Sequence, residues 1–387
     1  MVGLIFHRTF PHYRVGILKY LHERFGLIWV HSGSPFAGVT EGQDEQRVVR
    51  VRAVDLTFIR FLGANSDVLV LFDVLSPIRK YRPKVVIIQF ELSMGSVWPL
   101  FLLRRFYGFK LILWGHGYDR LKGFQPDTRL MDKIRLKWID WSDAVILYNE
   151  NRREEIVRYL HDNSKLFVAN NTLDTNELFA IKGDCDRTGL VELKNKLGIH
   201  SRYNLVCTGR LVKDKQVDYL LDVFQQIVQA LPDTHLHIVG KGPLEEGLAC
   251  QTERLGLKSN VTFWGEVIDQ RHLGEIIYCS NAMVLPGAVG LAIVHAFCFG
   301  RPLITQAEGV NGPYHGGEVE YLVHGKTGYF APHGDKSAMA EIIVQFLKDE
   351  NSGIEMEKDI SDFVIHQCSI EKMMSGFSDA LAFVRQK

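Results

Sequence analysis

The sequence has no stretch of the ~18–20 consecutive apolar residues that a bilayer-spanning helix requires. It has no excess of either charge. Its 45 lysines and arginines match 45 aspartates and glutamates, which argues against a broad nucleic-acid-binding face. The six cysteines (Cys185, Cys207, Cys250, Cys279, Cys298 and Cys368) form no CxxC and pair with no histidine at zinc spacing. Most lie among apolar residues and read as reduced, buried thiols of a reducing compartment. No GxGxxG fingerprint follows the first apolar run, where GLIFHRTFPHYR stands, so a Rossmann dehydrogenase is set aside. No repeat with a period of about 20–50 residues and no low-complexity tract is visible. The opening MVGLIFHRTF lacks a basic region and a cleavage site, and reads as a first strand.

What is present is the pattern of two α/β domains. The chain has 387 residues, more than one ordinary core accommodates, with globular proportions of apolar (46%) and charged (23%) residues. Short apolar runs alternate with amphipathic stretches from end to end, as in parallel sheets built of βα units. In the first half the runs are Val2–Phe6, Leu27–Ser32, Val85–Phe90, Lys110–Trp114, Ala144–Tyr148 and Leu166–Ala169, with helices over Tyr13–Arg24 and Asn151–His161. In the second they are Asn204–Thr208, His235–Gly240, Asn260–Trp264, Ala282–Pro286 and Pro302–Thr305. The helices there are Val217–Ala230, Leu244–Leu255, Arg271–Cys279 and Leu291–Phe299. We expect a first domain over residues 1–180, a polar, helix-like connector over 181–203 and a second domain over 204–365. A C-terminal segment, 366–387, would then pack its helix (about Ser369–Arg385) back on the first domain. Tandem sheets of this kind hold ligands at the carboxyl ends of their strands, in a cleft between the domains.

The segment NLVCTGRLVKDKQVDYLL is the most informative. A buried strand ends at Gly209, Arg210 and Lys215 follow, and a helix then begins. A glycine lets the backbone turn sharply, loop amides and a helix N-terminus accept negative charge, and two cations neutralise it, so the arrangement suits a diphosphate. Solvated loop charges are the plain alternative. A second strand, in HLHIVGKGPLEEGL, also ends in glycines, Gly240 and Gly242, before Pro243 opens a helix.

These runs, continued by NVTFWGEV, NAMVLPG, GLAIVHAFCFGRPLIT and EYLVHGKTGYF, resemble in order and spacing the donor domain of retaining GT-B glycosyltransferases of the family-4 type. The likeness covers about 130 residues, from Leu205 to Phe330. It implies an α/β GT-B fold, with two Rossmann-like parallel-sheet domains facing a central cleft. It also implies that Arg210 and Lys215 contact the donor diphosphate, that Gly209, Gly240 and Gly242 lie beside it, and that Glu266 and Val267 edge the nucleobase. The expected chemistry is transfer from a UDP- or GDP-linked sugar with retention, without a cofactor or an obligatory metal. The expected acceptor is a glycan or a lipid-linked glycan in surface polysaccharide or glycolipid synthesis. The matching location is the cytoplasm, peripheral on the inner face of the plasma membrane.

The sequence departs from that family where two glutamates, seven residues apart, grip the donor sugar and ribose. Aligning Gly290–Leu291 on the family's Gly-Leu puts His295 at the second glutamate and leaves Gly287 nearest the first. A histidine can still hydrogen-bond a ribose hydroxyl. Its alternative is a helix-interior residue satisfied by protein. Backbone amides of Ala288, Val289 and Gly290 are candidates to replace the lost contacts.

In the first half, the resemblance makes Tyr13 and Arg14 of FPHYR acceptor-binding residues; a helix-surface charge is the alternative for Arg14. His116 of WGHGYDR lies between glycines at a strand's end, where a substrate can approach closely, and is taken with Glu91 as a catalytic candidate. A turn histidine and a salt-bridged loop carboxylate are the respective alternatives. VWPLFLLRRFYGFKL, Val97–Leu111, combines aromatics with Arg104 and Arg105 and suits a membrane interface. An ordinary buried helix with its arginines at the rim would look the same. RVVRVRAV, Arg47–Val54, alternates as a half-exposed strand does. Loss of both glutamates also fits a catalytically inactive nucleotide-sugar-binding or scaffolding paralogue. A sugar-phosphate epimerase or phosphorylase on the same fold lacks support in the residues.

Overall fold

In a computed structural model, residues 3–32, 47–56, 68–71, 73–119, 122–310 and 312–386 are described. They form two compact units, Met1–Leu173 with Ile370–Lys387, and Asp174–Ser369.

The first unit is built on β1 (Gly3–His7), β2 (Leu27–His31), β3 (Val48–Arg50), a hairpin of β4 (Ala53–Leu56) and β5 (Val68–Leu71), then β6 (Val85–Gln89), β7 (Lys110–Gly115), β8 (Ala144–Leu147) and β9 (Leu166–Val168). Seven of these make one parallel sheet in the order β3-β2-β1-β6-β7-β8-β9, and among the described residues β4 pairs with β5. The central strands are near-continuous runs of Val, Ile and Leu because helices cover both faces, so every side chain of β1, β6 and β8 is buried. One face carries Ile5, Trp29, Ile87 and Trp114 under the helices Val15–Phe25 and Ile370–Gln386. The C-terminal helix lies so close to β9 that a Cβ on Gly376 would collide with the Val168 carbonyl oxygen. The alternating Arg47–Val54 segment divides between edge strand β3 and the separate strand β4, broken at Val51 and Arg52.

The second unit holds β10 (Tyr203–Thr208), β11 (Thr234–Val239), β12 (Val261–Gly265), β13 (Ala282–Val284), β14 (Leu303–Gln306) and β15 (Gly328–Ala331), in the order β12-β11-β10-β13-β14-β15. The connector expected over 181–203 is not a linker. Most of its residues lie in the helices Thr175–Thr188 and Leu190–Leu197, and its last, Tyr203, opens β10, all within this unit. The reason is an apolar stripe of Leu178, Ile181 and Cys185, buried against the helix Gln270–Tyr278, while Lys196 bridges both Glu275 oxygens at 2.8 Å. The chain accordingly leaves the first unit at Leu173 and returns at Ile370, rather than at 180 and 366.

His237 is buried as a neutral ring. His237 on β11 accepts from Trp264 Nε1 at 3.2 Å through Nδ1, so its Nε2 carries the proton it gives to Asn204 Oδ1 at 3.1 Å. Burial, with His235 and Lys194 nearby, lowers its pKa from 6.5 to about 3. The unfolded chain therefore binds a proton that the folded chain refuses, and the stability from this group is complete above pH 6.5 and falls away below it. The slope is about 1.4 kcal/mol per pH unit. His237→Gln keeps both hydrogen bonds without titrating. On going from pH 7 to pH 5 the parent chain should lose about 2 kcal/mol more unfolding free energy than the variant. Equal losses in urea titrations would contradict the assignment.

Candidate active site

The carboxyl edge of the second sheet is a set of turns packed backbone to backbone. After β10 the chain turns at Gly209 (φ +136°), and after β11 at Gly240 (φ +142°). The Gly209 amide donates to the Val239 carbonyl at 2.9 Å and the Gly240 amide to the Gly265 carbonyl at 2.7 Å. A Cβ on Gly240 would strike the Gly209 carbonyl, and one on Gly242 would lie 2.7–2.8 Å from Leu211 backbone atoms. These glycines are dictated by close approach as much as by dihedral angle.

A third loop locks onto the first. Gly287, after β13, has no room for a Cβ beside the backbone of Asp214 and Lys215. Next to it the Ala288 amide donates to the Asp214 carbonyl at 2.8 Å, and Lys215 Nζ donates to the Ala288 carbonyl at 2.5 Å. An ammonium has three protons, so this bond orients Lys215 and leaves two for a ligand. Burial lowers the Lys215 pKa, while Asp214 and the buried Glu318 counteract it. Arg210 stands exposed at the same turn. The helix Val217–Ala230 starts just beyond, from Gln216 in the left-handed region at φ +50°. Together these groups offer cations, turn amides and a helix N-terminus to an oxyanion.

The sequence reading missed the support beneath this edge. His315, 4% exposed, accepts from the Val289 amide at 3.1 Å through Nδ1, and its Nε2 then donates to the Gln306 carbonyl at 2.9 Å. Gln306 Nε2 donates to Pro286 O at 2.9 Å and to Gln216 Oε1 at 2.7 Å, tying the two loops to β14. The Gly316 amide closes the set on the Val289 carbonyl at 2.6 Å. The glycine-rich HGGEVEYL was the available signal, but its partners are distant in sequence.

His295 lies on the short helix Ala292–Cys298, half-buried, with Nε2 2.8 Å from Gln270 Oε1. Val289 is buried, and around Gly290 there is open space. Leu291 caps the helix; Glu266 is exposed and Val267 half-buried just after β12.

The first-unit candidates divide. Arg14 is not a surface charge: it is 5% exposed, and its Nη2 donates to Asn171 Oδ1 at 2.6 Å. Tyr13 is half-buried beside it. His116 follows β7 with its ring edge-on to Tyr148 at 4.6 Å. Glu91 follows β6; burial raises its pKa, and Ser93 Oγ lies 3.4 Å from its carboxylate.

Two Rossmann-like parallel α/β units, one with glycine turns and cations at its strand ends, define the class of fold: the GT-B type. A family model described as "Glycosyl transferases group 1" matches residues 202–349. N-acetyl-alpha-D-glucosaminyl L-malate synthase of Bacillus anthracis is 27% identical over 272 residues, 69% of this chain and 66% of that protein, just under two thirds of its length. A GDP-mannose-dependent alpha-(1-6)-phosphatidylinositol monomannoside mannosyltransferase of Mycolicibacterium smegmatis is 27% identical over 173 residues, 42% of this chain and 44% of its own length. Among solved structures, Anabaena HepE in complex with UDP superposes with a TM-score of 0.71 at 14% identity, over 99% of this chain and 100% of that one. WaaG, a glycosyltransferase involved in lipopolysaccharide biosynthesis, gives 0.66 at 12% identity, over 98% and 99%. The second unit thus resembles the group 1 glycosyltransferases over residues 202–349, and the whole chain has the GT-B fold.

The packing separates two neighbouring glycines. Gly287→Ala should push the Asp214–Lys215 backbone away and weaken nucleotide-diphosphate binding at least tenfold by calorimetry, whereas Gly290→Ala should change it less than twofold. Equal effects would refute the loop lock.

Proposed function

We propose that the protein transfers a sugar, with retention and without an obligatory metal, from a UDP- or GDP-linked donor to a glycan or lipid-linked acceptor in surface polysaccharide or glycolipid synthesis. The observation that carries this reading is the Lys215–Ala288 lock, which holds an ammonium beside exposed Arg210 at a glycine-lined strand end. As the sugar–phosphate bond breaks, negative charge grows on the departing diphosphate. Fixed cations there stabilise the transition state more than the ground state. The donor bases follow the relatives, one named as GDP-mannose-dependent and one solved with UDP. In this reading Glu266 and Val267 edge the base, His295 with Gln270 offers a ribose hydrogen bond in place of the family glutamate, and Gly287, Val289, Gly290 and Leu291 line the donor sugar. Tyr13, Arg14, Glu91 and His116 serve the acceptor and the transferred group.

Peripheral membrane attachment belongs to the same reading. On the helix Val97–Tyr107, Trp98 (45% exposed), Leu102 (68%) and Phe106 (83%) recur every fourth residue and so share one outward face. The exposed Trp141 of the helix Leu130–Trp141 lies 6.1 Å from Trp98, and Arg105, Lys133 and Lys137 are exposed on the same two helices. Arg104 is occupied internally, donating to the Trp141 carbonyl and the Asp143 carboxylate. Aromatic and cationic side chains presented together suit an anionic bilayer surface. Among the described residues no helix is long and apolar enough to cross a membrane.

Three experiments test these readings. Arg210→Ala and Lys215→Ala should each lower kcat/KM for a labelled UDP- or GDP-sugar by a factor corresponding to about 2–4 kcal/mol, and EDTA should leave the parent rate unchanged. Near-normal turnover in both variants, or loss in EDTA restored by Mn2+, would overturn the mechanism; donor binding without turnover in the parent chain would favour the inactive paralogue. His295→Ala should raise donor KM about tenfold with its melting temperature unchanged, and His295→Glu should recover much of it. A lower melting temperature at constant KM would make the Gln270 bond purely structural. Finally, Trp98→Ser with Phe106→Ser should abolish sedimentation with phosphatidylglycerol vesicles; a parent chain that ignores such vesicles would remove the membrane reading.

A further inference from the structure

The first unit buries a cation that has no counter-ion among the described residues. Arg14 lies at the carboxyl end of the sheet, 5% exposed, in a cage of aromatic rings. Its guanidinium carbon is 5.4 Å from the Trp114 ring centre, 5.8 Å from Tyr13 and 5.9 Å from Tyr148. Its one side-chain hydrogen bond among the described residues is to neutral Asn171, and no described carboxylate lies within ion-pair reach. Among the described residues, Nη1 of Arg14 and Nε1 of Trp114 are both buried without a hydrogen-bond partner, as is Oγ1 of Thr9. Thr9 is joined to this group by His7, whose Nδ1 is 3.0 Å from the Thr9 carbonyl. His7 is no counter-ion, since burial and the nearby Arg14 hold it neutral, with its pKa lowered to about 3.

Such an arrangement is costly as it stands. A buried ion normally has a partner of opposite charge, and cation–π contacts offset only part of the lost hydration. Buried donors are likewise almost always satisfied, so an unpaired guanidinium nitrogen packed on a ring with an unpaired indole N–H calls for an explanation. They share a requirement: a negatively charged acceptor with several oxygens. Half-buried Tyr13 packs on the guanidinium, and half-buried His116 packs edge-on against Tyr148 of the same cage.

We propose that Arg14 and Trp114 form a binding site for a phosphoryl oxyanion, with Thr9 as an auxiliary donor. One anion would neutralise the guanidinium and accept from Nη1 and Nε1 together, as charge-assisted bonds favour. Two sources share this chemistry, a phosphoryl group on the acceptor or free phosphate. The first rests on the transfer reading above, while the site itself does not.

The test is thermal unfolding of the full chain at constant ionic strength, in chloride and with added inorganic phosphate. Because phosphate can also meet Arg210 and Lys215, all chains carry Arg210→Ala and Lys215→Ala. Phosphate at about ten times its dissociation constant should raise the melting temperature by about 2–4 °C when Arg14 is present. It should not do so in Arg14→Met, and Trp114→Phe should show a reduced shift. In chloride alone, Arg14→Met should be at least as stable as its parent, because it removes an unpaired buried charge. A shift with methyl phosphate as large as with inorganic phosphate points to an esterified acceptor group, and a shift with inorganic phosphate alone to the free ion; either supports the site. Equal phosphate shifts in the parent and in Arg14→Met, or no shift in either, would overturn it. None of these readouts involves donor or turnover, so failure here leaves the transfer reading standing.

Discussion

Between Gly209 and Gly240 one main chain passes another with no room for a side-chain carbon. Gly287 does the same against Asp214 and Lys215. These contacts fix three loops, which belong to strands β10, β11 and β13, as one body. Lys215 can then be aimed by a single bond to the Ala288 carbonyl. A lysine is ordinarily a flexible, strongly hydrated point charge, so its use as a positioned cation requires that something else remove its freedom. Here that is done by backbone packing, with Glu318 supplying negative charge close to it. The glycines are therefore the prior condition and the cation the consequence.

A second layer holds that body to the sheet. His315 and Gln306 join Val289, Pro286 and Gln216 through bonds of 2.7–3.1 Å, and both side chains are almost wholly buried. Each end of each group is assigned: His315 accepts with one ring nitrogen and donates with the other. Such a network specifies one geometry only because every member is satisfied. It also bears on the two absent glutamates. The loop after β13 is short and lacks carboxylates, yet it is anchored to its neighbours more by main-chain atoms than by side chains, so its shape does not depend on the residues the family usually places there.

Much of this was legible in the residues. Val85–Gln89 and Ala144–Leu147 announce buried parallel strands because a sheet covered on both faces needs apolar side chains on both. The glycine turns were legible because backbone crowding leaves a residue-type signature. What escaped was whatever depends on partners far away in sequence. β15 is a four-residue GYFA run, strand-like only because β14 lies beside it. The polar segment after residue 180 hides Ile181 and Cys185, which continue a stripe begun at Leu178 and which only the helix Gln270–Tyr278 makes meaningful. The exposed face of Val97–Tyr107 was undecidable from composition, since Trp98, Leu102 and Phe106 suit a core as well as an interface. His315 stands in the glycine-bearing HGGEVEYL, but Val289 and Gln306, which give it a role, are distant in sequence.

The two units treat buried charge in opposite ways. In the second, Lys215 is tied to a carbonyl and lies near Asp214 and Glu318, so the cation is compensated before any ligand arrives. In the first, Arg14 is enclosed by Trp114, Tyr148 and Tyr13, with neutral Asn171 as its hydrogen-bond partner. Aromatic faces can hold a guanidinium in place and restrict its rotamers, but they contribute roughly 0.5–2 kcal/mol each, against several kcal/mol for removing an ion from water. Natural chains keep such a deficit mainly where something offsets it, and fold stability alone would be better served by an uncharged side chain of similar length. Arg14 is therefore better explained by binding than by packing, even though its burial, taken alone, would mark it as core.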